Sequence, residues 1–311
     1  MTRKLAITHL YEYKKQVAKI KLAAPDFELV FGEDVSDCEI VFGHMGPQQI
    51  QTAMKLKWFH AQSAGVDQYI LPDWGLPESV VLTNSAGMHG ISIAEHLLAF
   101  TLMLMRNMHS YVLQQPRHEW KGISGVKSIY GSLVTVVGLG GIGRRYATYC
   151  KALGATVRGV VRNPRHENCV DEMYTASQLD EAIADADVVA LVLPNTVETA
   201  GLFNRERMLK LKKGALILNA GRGSAIDQDA LIELLESGHL GGAGLDVTTP
   251  EPLPKESRLW DLPNVIVTPH VSRGASLDIT TEMIFDRFVG YLEDYVAGRE
   301  FVKVVDRKLG Y

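Results

Sequence analysis

Cysteine is scarce. Cys38, Cys150 and Cys169 are the only three in 311 residues. They match no metal-ligand spacing and cannot all pair, which argues against a thiolate metal site or a disulfide scaffold and reads as incidental thiols in a reducing compartment. Long apolar runs are also missing. The longest stretch, 91–105, is interrupted by Glu95 and His96 and is too short to span a bilayer. The first residues, Met-Thr-Arg-Lys-Leu-Ala-Ile-Thr-His, lack the apolar length of a signal peptide and read as a short strand. The formal charge of −4 offers no basic excess for nucleic acid or an anionic membrane. The expectation is a soluble cytoplasmic chain with neither of those as a partner. Hydrophobic residues make up 46%, enough at this length to build the cores of two domains.

What the chain does have is glycine in one informative place. Val134 to Val137 are continuously β-branched, as a strand buried on both faces should be, and Gly138, Gly140 and Gly143 follow at G-x-G-x-x-G spacing. The first glycine permits a tight turn. The second lets a diphosphate approach the backbone, and the third lets the next helix lie close to the strand. That helix is expected from about Ile142, with its free N–H groups facing the phosphates. A second strand, Ala155 to Val161, completes a dinucleotide-binding unit. An NAD site usually has Asp or Glu at the end of this strand to bind the ribose 2′-OH. Here Arg162-Asn163-Pro164-Arg165 stands instead. A carboxylate repels a 2′-phosphate, whereas a guanidinium pairs with it, so the prediction is NADPH in preference to NADH.

Before this motif the chain alternates short apolar runs with helical segments. Leu5 to Thr8, Phe27 to Phe31, Glu39 to Gly43, Trp58 to Ala61 and Val80 to Thr83 are the expected strands of a small open parallel domain. Ser92 and Glu95 have capping-box spacing, opening a helix apolar nearly all round that links into the second domain. Residues 109–130 read as an irregular polar stretch. After it, further strands are expected near 173–175, 188–193, 215–219, 242–247 and 265–268, giving a doubly wound sheet. A last helix entered near Ser272, with Met283, Phe285, Phe288, Val289, Leu292 and Val296 at helical spacing, has no strand partner there and is expected to return to the first domain. The predicted division is 1–95 with 275–311, and 96–274.

Ligands of open α/β sheets bind beyond the carboxyl ends of strands. Three ionisable residues follow such ends: Arg222 in Asn-Ala-Gly-Arg-Gly, Glu251 in Asp-Val-Thr-Thr-Pro-Glu-Pro, and His270 in Thr-Pro-His. Hydride addition to a ketone leaves an alkoxide that needs a proton, which a protonated imidazole supplies near neutral pH. Glu251 would orient His270 and favour its protonated form. Arg222 would grip a substrate carboxylate and polarise the carbonyl. Asp246 is expected at the nicotinamide amide or, alternatively, as a cap of its strand end. His44, Met45 and Met88 follow first-domain strands and are candidate pocket residues, with core packing the alternative for the two methionines.

These residues resemble one known family. Gly138-Leu-Gly-Gly141-Ile142-Gly143, Leu193-Pro194-Asn-Thr-Val-Glu-Thr199-Ala-Gly201, Leu218-Asn-Ala220-Gly221-Arg222-Gly223, Leu245-Asp-Val247 with Glu251-Pro-Leu-Pro254, and Thr268-Pro-His270 are similar to the D-isomer-specific 2-hydroxyacid dehydrogenases over nearly the whole length. The resemblance implies a Rossmann cofactor domain and a smaller, discontinuous, flavodoxin-like substrate domain. It implies that Arg222, Glu251 and His270 are catalytic, and that Pro194, Thr199, Ala220 and Gly221 line the cofactor. It also implies that the 63–67 turn, through Ala64 and Gly65, offers N–H groups to a substrate carboxylate. A homodimer is implied, joined around 92–130. The short length and Arg162 look most like the NADPH-dependent glyoxylate/hydroxypyruvate reductase branch, acting on small 2-oxo acids and needing no metal. The alternatives are an NAD-linked dehydrogenase of a phosphorylated hydroxy acid and a non-enzymatic NAD(P)-sensing scaffold.

Overall fold

The computed structural model of the chain describes residues 2–9, 14–163, 166–274 and 277–308. The chain divides into two compact units, 1–89 with 275–311 and 90–274. The division falls at the start of a helix and not inside it, as a boundary at 95/96 would place it.

The first unit contains β1 (Arg3–Ile7), α1 (Lys14–Ala23), β2 (Phe27–Phe31), β3 (Ile40–Gly43), α2 (Pro47–Thr52), β4 (Trp58–Ala61), α3 (Asp67–Ile70) and β5 (Val81–Asn84). All strand pairs are parallel, in the order β2-β1-β3-β4-β5. Numbered along the chain, this is the flavodoxin-like order. β3 and β4 are buried on both faces, as the unbroken apolar sequence of β3 requires, and β4 buries His60 among its apolar residues. Side chains alternate across β3, so Val41 joins Phe59, Tyr69 and Leu82 on one face, while Ile40 and Phe42 join Leu5, Ile7 and Trp58 on the other.

The second unit contains α4 (Gly90–Met105), α5 (Met108–Gln114), β6 (Leu133–Val137), α6 (Gly141–Ala152), β7 (Thr156–Val161), β8 (Glu172–Thr175), α7 (Leu179–Ile183), β9 (Val188–Leu191), α8 (Arg205–Leu209), β10 (Ala215–Asn219), α9 (Gln228–Glu236), β11 (Leu240–Leu245) and β12 (Val265–Val267). Its seven strands are parallel in the order β12-β11-β10-β9-β6-β7-β8. This is the doubly wound dinucleotide-binding order with one further strand beyond the sixth. Two apolar clusters cover its two faces. The chain then forms α10 (Asp278–Val296) in the first unit, where Phe288 stacks on Phe42 at a centroid separation of 4.0 Å.

Two local expectations are corrected. Ser92 does not cap α4. The helix already begins at Gly90, and the buried Ser92 hydroxyl donates to the carbonyl of Arg273 at 2.8 Å while Glu95 points to solvent. The start is set by packing: a Cβ on Gly90 would stand 3.2 Å from the Gly141 carbonyl oxygen. Part of 109–130 is helical, since α5 runs to Gln114 and a 3₁₀ turn follows over Gln115–Arg117. Among the described residues no helix is long and apolar enough to cross a membrane.

Candidate active site

The turn between β6 and α6 has the shape its glycines predict. Gly138 sits at φ 102°, and a Cβ there would come within 2.4 Å of the Val192 carbonyl oxygen. A Cβ on Gly143 would lie 2.0 Å from the Gly138 oxygen, so only glycine lets α6 approach β6 this closely. At Gly140 a Cβ would meet nothing within 4 Å, leaving open space beside the backbone. Gly140 is also the N-cap, with no side-chain cap bond and no acidic residue in the first turn of α6. An uncapped helix start facing open space is what a dinucleotide diphosphate requires. Gly141 and Ile142 open the helix at this point.

Arg162 directly follows β7, exposed, and pairs with the exposed Glu198 carboxylate. Asn163 is exposed beside it. Arg165 lies outside the described residues. Glu198 belongs to a turn closed by Thr199, whose hydroxyl donates to the Pro194 carbonyl at 2.6 Å. Ala220 is buried, and its N–H donates to the Leu191 carbonyl at 3.2 Å. A Cβ on Gly221 would be 2.6 Å from both N and O of Leu193, so the loops after β9 and β10 press together.

Arg222, Glu251 and His270 follow β10, β11 and β12, and the second unit ties their loops to one another. The Asn219 amide accepts from the Gly221 N–H at 3.0 Å and donates to the Arg222 carbonyl at 2.9 Å, closing the turn that presents the half-buried Arg222. A Cβ on Gly223 would sit 2.0 Å from the Thr248 oxygen, so the Arg222 loop lies directly against the segment leading to Glu251. Glu251 accepts from the Thr248 N–H at 3.1 Å on Oε1 and meets His270 Nδ1 at 2.8 Å with Oε2. A carboxylate only accepts, so Nδ1 carries hydrogen and Nε2 is the imidazole atom left to act.

Asp246, expected at the nicotinamide amide or as a cap of its strand end, is tied to the segment that follows β12. It is 1% exposed, and its carboxylate accepts from the Thr268 hydroxyl at 2.6 Å, Val271 N–H at 3.0 Å and Ser272 N–H at 3.1 Å. Burial works to raise its pKa, but the hydrogen bonds from Ser272, Thr268 and Val271 outweigh burial and hold the group below the usual carboxylate value. Its role is to hold the loop that carries His270.

In the first unit, the 63–67 turn is pinned through its acceptors. Ser63 donates to the Gly65 carbonyl at 2.7 Å and Asn84 to the Ala64 carbonyl at 2.8 Å. Met45 is corrected: it has no exposed surface and fills the core beside Val41 and Tyr69, where a flexible thioether packs well. Met88 is half-buried against the other cluster. His44 Nδ1 bonds the Tyr69 hydroxyl at 2.6 Å. Sequence reasoning missed Asn219 and Glu198. Only Asn219 had a local signal, as an amide at a strand end two residues before glycine.

A seven-stranded doubly wound unit with a glycine turn and a guanidinium, carboxylate and imidazole on adjoining strand ends defines a dinucleotide-dependent oxidoreductase of the α/β class. Residues 98–272 match the model of the D-isomer specific 2-hydroxyacid dehydrogenase NAD binding domain, and the chain belongs to that family. A D-isomer specific 2-hydroxyacid dehydrogenase family protein from Aeromonas salmonicida is 30% identical with a TM-score of 0.87, over 99% of this chain and 100% of that one. An NADPH-dependent glyoxylate/hydroxypyruvate reductase from Sinorhizobium meliloti, solved with NADP and sulfate, is 30% identical with a TM-score of 0.84, over 99% and 100%. D-3-phosphoglycerate dehydrogenase from Bacillus subtilis is 32% identical over 84% of this chain but only 52% of its own length. The chain thus spans about half of that relative.

Proposed function

We propose that the protein uses NADPH to reduce a small 2-oxo acid, of the glyoxylate or hydroxypyruvate type, to a D-2-hydroxy acid. The observation that carries this reading is the 2.8 Å pair between His270 Nδ1 and Glu251, on the loop beside that of Arg222. NADPH, when bound, supplies hydride to the substrate carbonyl carbon. His270 then delivers its Nε2 proton to the carbonyl oxygen, and Glu251 keeps the ring turned so that Nε2 faces outward. Arg222 holds the substrate carboxylate and draws charge toward the carbonyl oxygen. In the first unit, the N–H groups of Ala64 and Gly65 are proposed to bind a carboxylate. Gly138, Gly140, Gly141, Ile142 and Gly143 hold the diphosphate, with Pro194, Thr199, Ala220 and Gly221 along the cofactor. The test follows NADPH absorbance with glyoxylate, hydroxypyruvate, pyruvate and phenylpyruvate. Oxidation with the small acids is the expected result. Turnover only with NADH and a phosphorylated 2-oxo acid would replace this reading, and no turnover at all would overturn it.

Arg162 and Asn163 take the 2′-phosphate. An exposed pair such as Arg162–Glu198 contributes at most about 1 kcal/mol, whereas a hydrogen bond to a charged group is worth about 1.5–3 kcal/mol, so the phosphate displaces Glu198. Arg162→Ala is expected to raise the KM for NADPH about tenfold, in line with the loss of one such bond, while leaving the KM for NADH nearly unchanged. Equal changes with both cofactors would remove Arg162 from this role.

The protein acts as a homodimer in this reading. Met108, Val112 and Leu113 of α5, with Trp120 beyond it, expose apolar surface that a second copy would cover. Light scattering is expected to give twice the chain mass of 34.3 kDa.

A further inference from the structure

We propose that His96, on α4, is a positioning residue for His270, acting through Thr268 and Asp246. The inference rests on His270 being the proton donor, as argued above.

His270 lies at φ 52°, a left-handed conformation that a residue with a Cβ adopts only where its surroundings impose it. Three backbone N–H groups here converge on Asp246. The His270 N–H donates to the Asp246 carbonyl at 2.8 Å, and the next two N–H groups, of Val271 and Ser272, donate to its carboxylate. The carboxylate is therefore the template on which the backbone around His270 is folded. Its remaining partner is the Thr268 hydroxyl at 2.6 Å.

That hydroxyl has a single proton, and it is directed at Asp246. The 2.9 Å contact between Thr268 Oγ1 and His96 Nε2 must then be a hydrogen bond donated by Nε2–H. The bond orders the hydroxyl, and with it the third donor to the carboxylate. The His96 ring is itself fixed. It meets Phe100 edge-on at a centroid separation of 4.5 Å, and Phe100 lies so close to β11 that a Cβ on Gly244 would be 2.7 Å from its ring. A rigid, buried helix thus reaches the catalytic loop through one imidazole and one hydroxyl. Burial lowers the pKa of His96, against the opposing charge of Asp246, so the neutral Nε2–H tautomer is the form that donates.

Steady-state kinetics of Thr268→Val, Thr268→Ser, His96→Leu and the double variant Thr268→Val/His96→Leu test this, beside NADP binding followed by calorimetry. Misplacing a reacting group by about 1 Å costs on the order of 10²-fold; a loosened loop is expected to lose roughly tenfold in kcat in Thr268→Val and in His96→Leu. The KM for substrate and the affinity for NADP are expected to hold, and Thr268→Ser, which keeps the hydroxyl, to restore kcat. Because His96 acts through Thr268, the double variant should be no slower than Thr268→Val alone. Amide exchange at 270–272 should quicken in the same variants. Wild-type kcat in Thr268→Val, together with a large loss in His270→Ala, would overturn the relay alone, as would losses that multiply in the double variant. Full turnover in His270→Ala would overturn the proton-donor reading and the relay with it.

Discussion

His270→Ala should lose about 10²–10⁴-fold in kcat, the usual contribution of a positioned general acid, while still binding NADP as the wild type does. The split follows from where the residue stands. The glycine turn and the uncapped start of α6 lie between β6 and α6, whereas His270 sits on the loop after β12 and is held by Asp246 and Glu251. Removing its ring takes away the Nε2 proton and no structural hydrogen bond except the one to Glu251. His270→Gln keeps a polar side chain but has no proton to transfer at neutral pH, so it should be as slow as the alanine variant. Stopped-flow absorbance under single turnover measures the loss directly. A His270→Ala enzyme with normal turnover would mean that the proton comes from elsewhere.

The first unit should weaken sharply in mild acid, through His60. This histidine is fully buried on β4, with Nδ1 at 2.7 Å from the Thr83 hydroxyl and Nε2 at 3.1 Å from that of Ser85, between the rings of Phe42 and Phe288. Burial, with a smaller push from the Arg287 charge, lowers its pKa to about 3. The unfolded chain binds the proton near pH 6.5 and the folded one does not, so stability is full above that pH and falls as pH drops toward 3. Each pH unit crossed removes up to about 1.4 kcal/mol, or roughly 2 kcal/mol by pH 5. The carboxylates do not share this window. Glu39, held near pKa 2 chiefly by its bond from Arg3, loses its contribution only below about pH 4.5. Urea unfolding at pH 7 and pH 5 should therefore show a larger drop for the wild type than for His60→Gln. The lowered pKa of His96 adds a smaller slope that both proteins share. Equal drops would show that His60 is not the acid-sensitive group.

Much of this organisation is legible in the residues themselves, because it depends on local pattern. The β-branched run 134–137 must be buried, the glycines at 138 and 143 allow only one turn, and Trp58–Ala61 is a strand from end to end. Strand-end placement was enough to single out Arg222, Glu251 and His270, whose loops the second unit joins through Gly223 and the Glu251–His270 bond. The failures share a cause. Ser92 has the spacing of a cap, but a distant carbonyl at Arg273 takes its hydroxyl. Met45 follows a strand as a pocket residue would, yet the core claims it. Each of these outcomes is decided by a partner more than twenty residues away, which no local spacing encodes.

The 2.0 Å gap between a Cβ at 223 and the Thr248 oxygen has a consequence for how this protein tolerates change. Even alanine at that position must pry two backbones apart, yet the sheet beneath, already complete at Asn219 and Leu245, has no need to notice. Alleles altered at Gly223 should therefore accumulate as folded, abundant and inert protein, detectable by antibody but invisible to a growth selection, and a library built to broaden the enzyme's diet should leave that codon fixed.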